Sequence, residues 1–198
     1  KQPQDVDGVD DSSSCLILSS QRRIYMHFQA WGPFEFDGDI GAFWERVDAE
    51  AIRYDTDPIA LRKAIGCYMF SIKRGDTYKP WYVGKTSAQT GFYGEVLTPH
   101  KVEHYNGVFE TTRRKSGQLI FFTLITSTGH LSRATRSTAA LVNWLERMLI
   151  GMAIAKNPDL RNKRDTKLLR SVWVEGVFGK QDPGRPFSGA TAARKALL

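Results

Sequence analysis

Residues 66–85 read GCYMFSIKRGDTYKPWYVGK, and the architecture turns on how they pair. Gly66 to Ile72 are aromatic and β-favouring. Lys73-Arg74-Gly75-Asp76 supplies turn chemistry, and Trp81-Tyr82-Val83 resumes the strand signal. The spacing predicts a β-hairpin over 66–84 with a long loop. Downstream, residues 118–126, QLIFFTLIT, form a continuous apolar run between Gly117 and Ser127, as a buried strand does. Residues 91–106 between them read as helical, interrupted at Thr98-Pro99.

Further out, Ser137 or Thr138 is expected to cap a long helix reaching about Ala155, ended by Asn157-Pro158. Leu141, Leu145, Met148 and Met152 give that helix an apolar face. Upstream, Asp39 is the expected N-cap of a helix over 41–53, with Phe43, Val47 and Ile52 on a narrow stripe. Asp57-Pro58 then breaks the chain, and residues 15–36 hold a strand or two. The chain therefore divides into an acidic disordered tail (1–14), an N-terminal extension packed on the core (15–64), a core (66–165) and a basic C-terminal extension (166–198).

Of the 198 residues, 41% are hydrophobic and 12% aromatic, which excludes a disordered or collagen-like chain. No apolar run is read as reaching the roughly 18 residues of a membrane span, so the expectation is no membrane. Two cysteines, Cys15 and Cys67, exclude a disulfide-rich scaffold and a four-cysteine zinc site. With an acidic start in place of a secretory leader, the expected setting is cytoplasmic. The first residue is Lys1, not Met, so the expectation is a trimmed chain or part of a longer one. The net charge of +7 is uneven: residues 1–11 carry −3 and residues 161–198 carry +6. A basic body favours polyanionic partners.

Glu146 borders the apolar face of the long helix, with Val142, Leu149 and Ile150 around it. No Lys or Arg stands three or four residues away, so it needs a distant cation, a metal or water. A tertiary salt bridge satisfies it as well as a metal does. Tyr68 and Tyr82 are equally compatible with plain packing in a small sheet, with Gly84 where another element approaches closely.

Taken together, these pieces resemble the GIY-YIG nuclease family. Gly66-Cys67-Tyr68 looks like the GIY triplet with Cys for Ile, and Tyr82-Val83-Gly84 like the YIG triplet in its YVG form. Lys85 after that glycine is similar to the incision endonucleases of nucleotide excision repair. Glu146-Arg147-Met148-Leu149-Ile150 resembles the late helix whose glutamate holds a divalent metal. Asn157-Pro158-Asp159-Leu160-Arg161-Asn162 resembles the Pro-x-Leu-Asn closing segment, with one extra residue. The resemblance covers about residues 66–165. It departs from the family on the first helix, which has no arginine: either Glu95 stands at the arginine position, reversing the charge, or Lys101 substitutes, with Tyr105 matching the family's His or Tyr one turn later.

The resemblance implies an α+β fold: a small three-stranded antiparallel sheet flanked by helices, in β-β-α-β-α order. It implies metal-dependent hydrolysis of phosphodiesters, most naturally in DNA. Glu146 would hold Mg²⁺ or Mn²⁺. Tyr68, or as second choice Tyr82, would be the general base, with Lys85 as its nearest cation in sequence. Lys101 would face the phosphate, although a lysine cannot reproduce the fork of an arginine. His104 and His100, four residues apart on one helix face, are candidates to move a proton or bind phosphate. Asn162 would hydrogen-bond around the site. Gly84, Tyr105, Arg161, Lys163, Arg164 and Lys167 complete the expected substrate surface. Two alternatives stay open: a relative that binds nucleic acid without cutting it, and a protein-interaction domain in which these residues are structural.

Overall fold

A computed structural model describes residues 26–162, residue 166 and residues 188–197. The elements run β1 (His27–Phe36), α1 (Ile40–Arg53), α2 (Pro58–Arg62), β2 (Gly66–Arg74), β3 (Thr77–Thr86), α3 (Pro99–Thr112), β4 (Gly117–Ile125), α4 (Arg136–Lys156) and α5 (Ser188–Leu197). The architecture is α+β, a four-stranded antiparallel sheet of order β1-β4-β2-β3 flanked by helices.

The fourth strand corrects the expected three. β1 pairs along β4 from His27 opposite Ile125 to Phe36 opposite Gly117. Its inward residues Trp31, Phe34 and Phe36 break strict alternation at Gly32-Pro33, where the register shifts. That irregularity hides the strand from a period-two reading, and an edge strand tolerates the proline. Residues 27–64 are thus part of the sheet and its main core. The expected tail over 1–14, the start of the expected extension and most of the basic C-terminal segment lie outside the described residues.

The hairpin turns over Gly75-Asp76 alone, not a long loop. Gly75 supplies the left-handed conformation that the turn needs, with φ of 58°. Lys73, Arg74, Thr77 and Tyr78 read as loop because they are exposed and polar. They pair only with each other, since β4 leaves β2 at Ser71. Trp81 is the extra residue of a bulge: Phe70 faces Tyr82, but Ser71 faces Pro80.

Each face of the sheet buries its own cluster. On one, Phe121 stacks on Phe92 with centroids 4.3 Å apart and meets Phe34, Phe43 and Trp44. The apolar side of α1 and Tyr105 of α3 complete this cluster. On the other face, α4 covers Cys67, Leu124 and Val83 with Val142, Ile150 and Ala153.

Helix α1 starts where expected, with the Asp39 carboxylate accepting from Ala42 N at 3.0 Å. Helix α4 starts slightly earlier than expected, capped by a reciprocal Thr135–Thr138 box. Its buried positions are Thr138, Val142, Ile150 and Ala153, with Leu145 and Leu149 partly covered. The expected face is corrected at Leu141, Met148 and Met152, which are exposed along with Trp144. The helix is apolar on two sides, so periodicity cannot choose between them. By length and composition alone, α4 is also long and apolar enough to cross a membrane.

Phe121→Ala removes the ring on which this core converges. It is expected to cost about 3–5 kcal/mol of stability, read as a lower urea midpoint at unchanged slope.

Candidate functional site

Strand pairing sorts the candidate residues before any contact is considered. In an antiparallel pair, directly opposed residues point to the same face, and neighbours along a strand alternate. Tyr68 faces Gly84 and Phe70 faces Tyr82, so both tyrosines share the α3 face. Cys67 faces Lys85 on the α4 face. The side-chain bonds of these residues accordingly form two networks, one on each side of the edge strand β3.

The α3 face holds the larger network. The Tyr68 and Tyr82 rings stand 6.1 Å apart. A Cβ on Gly84 would lie 2.5 Å from the Tyr68 hydroxyl, so only glycine lets the Tyr68 ring pass across β3. The Tyr68 hydroxyl donates to Glu95 Oε1 at 3.4 Å. Lys101 Nζ stands 3.6 Å from the same Glu95 oxygen and donates a short hydrogen bond to the Tyr82 hydroxyl. Its ammonium also lies 4.5 Å from the centroid of the Tyr82 ring, within cation–π range. His104 stacks on Tyr82 at 5.9 Å, and its Nε2 is 3.1 Å from His100 Nε2.

Within this group exposure separates the roles. Tyr68 is wholly buried, whereas Tyr82 is partly exposed. Burial holds the Tyr68 hydroxyl well above the ordinary tyrosine range, with Tyr105, Tyr82 and Glu95 adding to the shift. Tyr105 is wholly buried too, stacked 4.3 Å from Phe70, and its hydroxyl donates to the Val96 carbonyl at 3.0 Å. It supports Tyr82 from beneath instead of meeting a ligand.

On the α4 face, Lys85 Nζ donates to Glu146 Oε2 at 2.5 Å, with 14% of the Glu146 side chain exposed. Glu146 thus finds a tertiary cation from a strand distant in sequence. Cys67 lies beneath, its thiol 3.4 Å from the Val142 carbonyl. Burial pushes that thiol up, and the Glu146 charge adds to the effect.

Asn162 sits on the outer edge of β3, accepting from Val83 N at 2.9 Å and donating to Val83 O at 2.6 Å. Arg161 N donates to Trp81 O at 2.8 Å, while its guanidinium donates to Gly107 O and Thr111 Oγ1 on α3. Arg161 is therefore a strut between β3 and α3. Asn157, read only as a helix end, is fully buried and donates to Pro80 O at 2.7 Å. Lys163, Arg164 and Lys167 lie outside the described residues. Sequence reasoning left Glu95 out of the site, although one of the two alignments of the helix had singled it out.

Comparison of the chain with protein-family models, with curated proteins and with solved structures found no match.

Tyr68 and Tyr105 are expected to stay protonated in the native protein while ordinary tyrosines ionise near pH 10. Tyr68→Phe should then leave the phenolate absorbance gained between about pH 9 and 11 unchanged in native protein, but lower it in urea. Because the unfolded chain releases protons that the native one keeps, stability falls as pH rises past about 10. Tyr68→Phe should make that fall shallower in pH-dependent denaturation.

Proposed function

We propose that this chain is a GIY-YIG-type endonuclease that hydrolyses phosphodiester bonds in DNA. The observation that carries this reading is the contact of Lys101 with Tyr82, beside Tyr68 and against Glu95. Phosphodiester hydrolysis needs a base for the attacking water, positive charge at the phosphate and fixed hydrogen bonds around both. This cluster holds a candidate for each. Lys101 supplies the cation that the family places on an arginine.

Tyr82 is the better base of the two tyrosines, because Tyr68 is wholly buried and held protonated. In the proposed step, water attacks phosphorus in line as the bond to the leaving oxygen breaks. The Tyr82 hydroxyl first gives its proton to solvent, its oxygen then takes the water proton, and the leaving oxygen takes a proton from solvent. Donation from an ammonium is worth most to an oxygen that carries charge, which is the part Lys101 plays. Tyr68 and Glu95 orient the pair.

Glu146 suits Mg²⁺ or Mn²⁺ as a site completed by substrate. Among the described residues, no cluster of three or more His, Cys, Asp or Glu side chains is placed to hold an ion. A single carboxylate with water and phosphate oxygens is an ordinary arrangement for magnesium. Such an ion supplies charge neutralisation at the scissile phosphate. Lys85 orients the carboxylate. For both networks to serve one phosphate, the DNA strand must reach round β3 at Gly84 and Lys85, beyond the Asn162 clasp on Val83.

A second reading, a relative that binds nucleic acid without cutting it, is favoured by one observation. Lys85 already neutralises Glu146 at 2.5 Å.

Plasmid cleavage with Mg²⁺ or Mn²⁺ tests both. Tyr82→Phe and Lys101→Ala are expected to lower the rate by about 10²-fold or more, Lys101→Arg to retain activity, and Glu146→Ala to abolish metal-dependent cleavage. Equal cleavage by wild type and every variant would remove the site assignment. No cleavage by any, with binding that weakens steeply as salt rises, would establish the second reading.

A further inference from the structure

We propose that His100 and His104 form a bidentate site for a borderline transition-metal dication, such as Zn²⁺, Ni²⁺ or Cu²⁺, distinct from the hard ion suited to Glu146. Both histidines lie on α3, four residues apart, so one helical turn brings their rings over the same face. Their Nε2 atoms converge to 3.1 Å in a hydrogen bond between the rings, which an ion bound to both would replace. Two nitrogens at that separation, each about 2.0–2.1 Å from one ion, subtend about 100° at it. This is close to the tetrahedral value and to the right angle of square or octahedral sites. The two rings lie at 81° to each other, so they reach a shared point without stacking. In the bound form both rings carry their remaining proton on Nδ1.

The surroundings favour a cation. The histidines line an open cleft of about 850 Å³ together with Leu97, Pro99, Glu103 and Arg161. Of the side chains lining it, Glu103 and Glu110 are acidic, and the guanidinium of Arg161 is held by Gly107 O and Thr111 Oγ1. The nearby Lys101 ammonium is paired with Glu95 and donates to the Tyr82 hydroxyl. Imidazole pairs select zinc, nickel and copper over magnesium. The remaining coordination positions are open to water or to an anionic ligand entering the cleft. Through the His104 ring, an ion there would sit beside Tyr82, at the margin of the candidate catalytic cluster.

The site does not depend on nuclease activity, and its test reads binding. The untagged full chain is titrated with Zn²⁺ by calorimetry and with Cu²⁺ by electron paramagnetic resonance, in excess Mg²⁺. The expected result is one ion per chain, with coupling to two imidazole nitrogens in wild type. His100→Ala and His104→Gln should each lose one coupled nitrogen and weaken Zn²⁺ binding, and the double variant should lose the site. The chain has four histidines, so His27→Ala with His130→Ala is the control expected to leave binding unchanged. Retained stoichiometric binding in the double variant, displacement by Mg²⁺, or no binding by wild type would overturn the proposal. Circular dichroism of each variant shows that any loss is local.

Discussion

The carboxamide of Asn162 closes on both backbone groups of Val83, and the arrangement of the candidate site depends on that clasp. β3 is an edge strand, and an uncovered edge leaves a row of unpaired backbone groups. Here the segment after α4 covers it, through Asn157 to Pro80 O, Arg161 N to Trp81 O, and Asn162 to Val83. The same segment determines where α4 ends. From Pro80 to Lys85 the strand advances about 17 Å, and from Asn157 back to Glu146 the helix spans about 16 Å. The two lengths match. A helix held to the strand at Asn157 therefore delivers Glu146 to Lys85 at the far end, with Val83, Ile150 and Ala153 packed between.

The alternation of β-strands then separates the chemistry. Tyr68 and Tyr82 share a face with Lys101 and Glu95, while Lys85 shares the other with Glu146. Each face neutralises its own charge, as partly desolvated ions require. Under the nuclease reading this has a consequence for substrate entry. A phosphate gains from Lys101 only as it competes with Glu95, and gains from Lys85 only as it competes with Glu146. The pairs keep each cation oriented until an anion replaces its partner, which favours a ligand of high charge density over a neutral one.

What the sequence revealed depended on whether the signal was local. The hairpin, the apolar strand at 118–126 and the cap at Asp39 were legible, because turn glycines, apolar runs and capping carboxylates act over a few residues. β1 was only half legible: its alternation breaks at Gly32-Pro33, and its partner β4 lies some ninety residues away. The buried face of α4 was illegible because the helix carries apolar residues on two sides, and only the sheet decides which one is covered. Lys85 and Glu146 could each be singled out as needing a partner. That they partner each other follows from the register of β3 against α4, which no local pattern encodes.

The departure on the first helix shows the same limit most clearly. Two alignments competed, one placing Glu95 at the cationic position and one placing Lys101 there. They exclude one another only if a continuous helix runs through both residues. It does not: residues 89–97 form turns, and α3 starts at Pro99 behind Thr98. The break resets the helical phase, so spacing counted across it carries no information about direction. Both residues reach the tyrosines, Glu95 from the turn and Lys101 from the first turn of α3. Under the nuclease reading, the family's one arginine would correspond to an acid and a lysine at two positions. The acid receives the hydroxyl of the buried tyrosine, and the lysine donates to the partly exposed one. A cation that is also paired can be shorter and less forked than arginine, because its orientation comes from Glu95 and not from its own geometry.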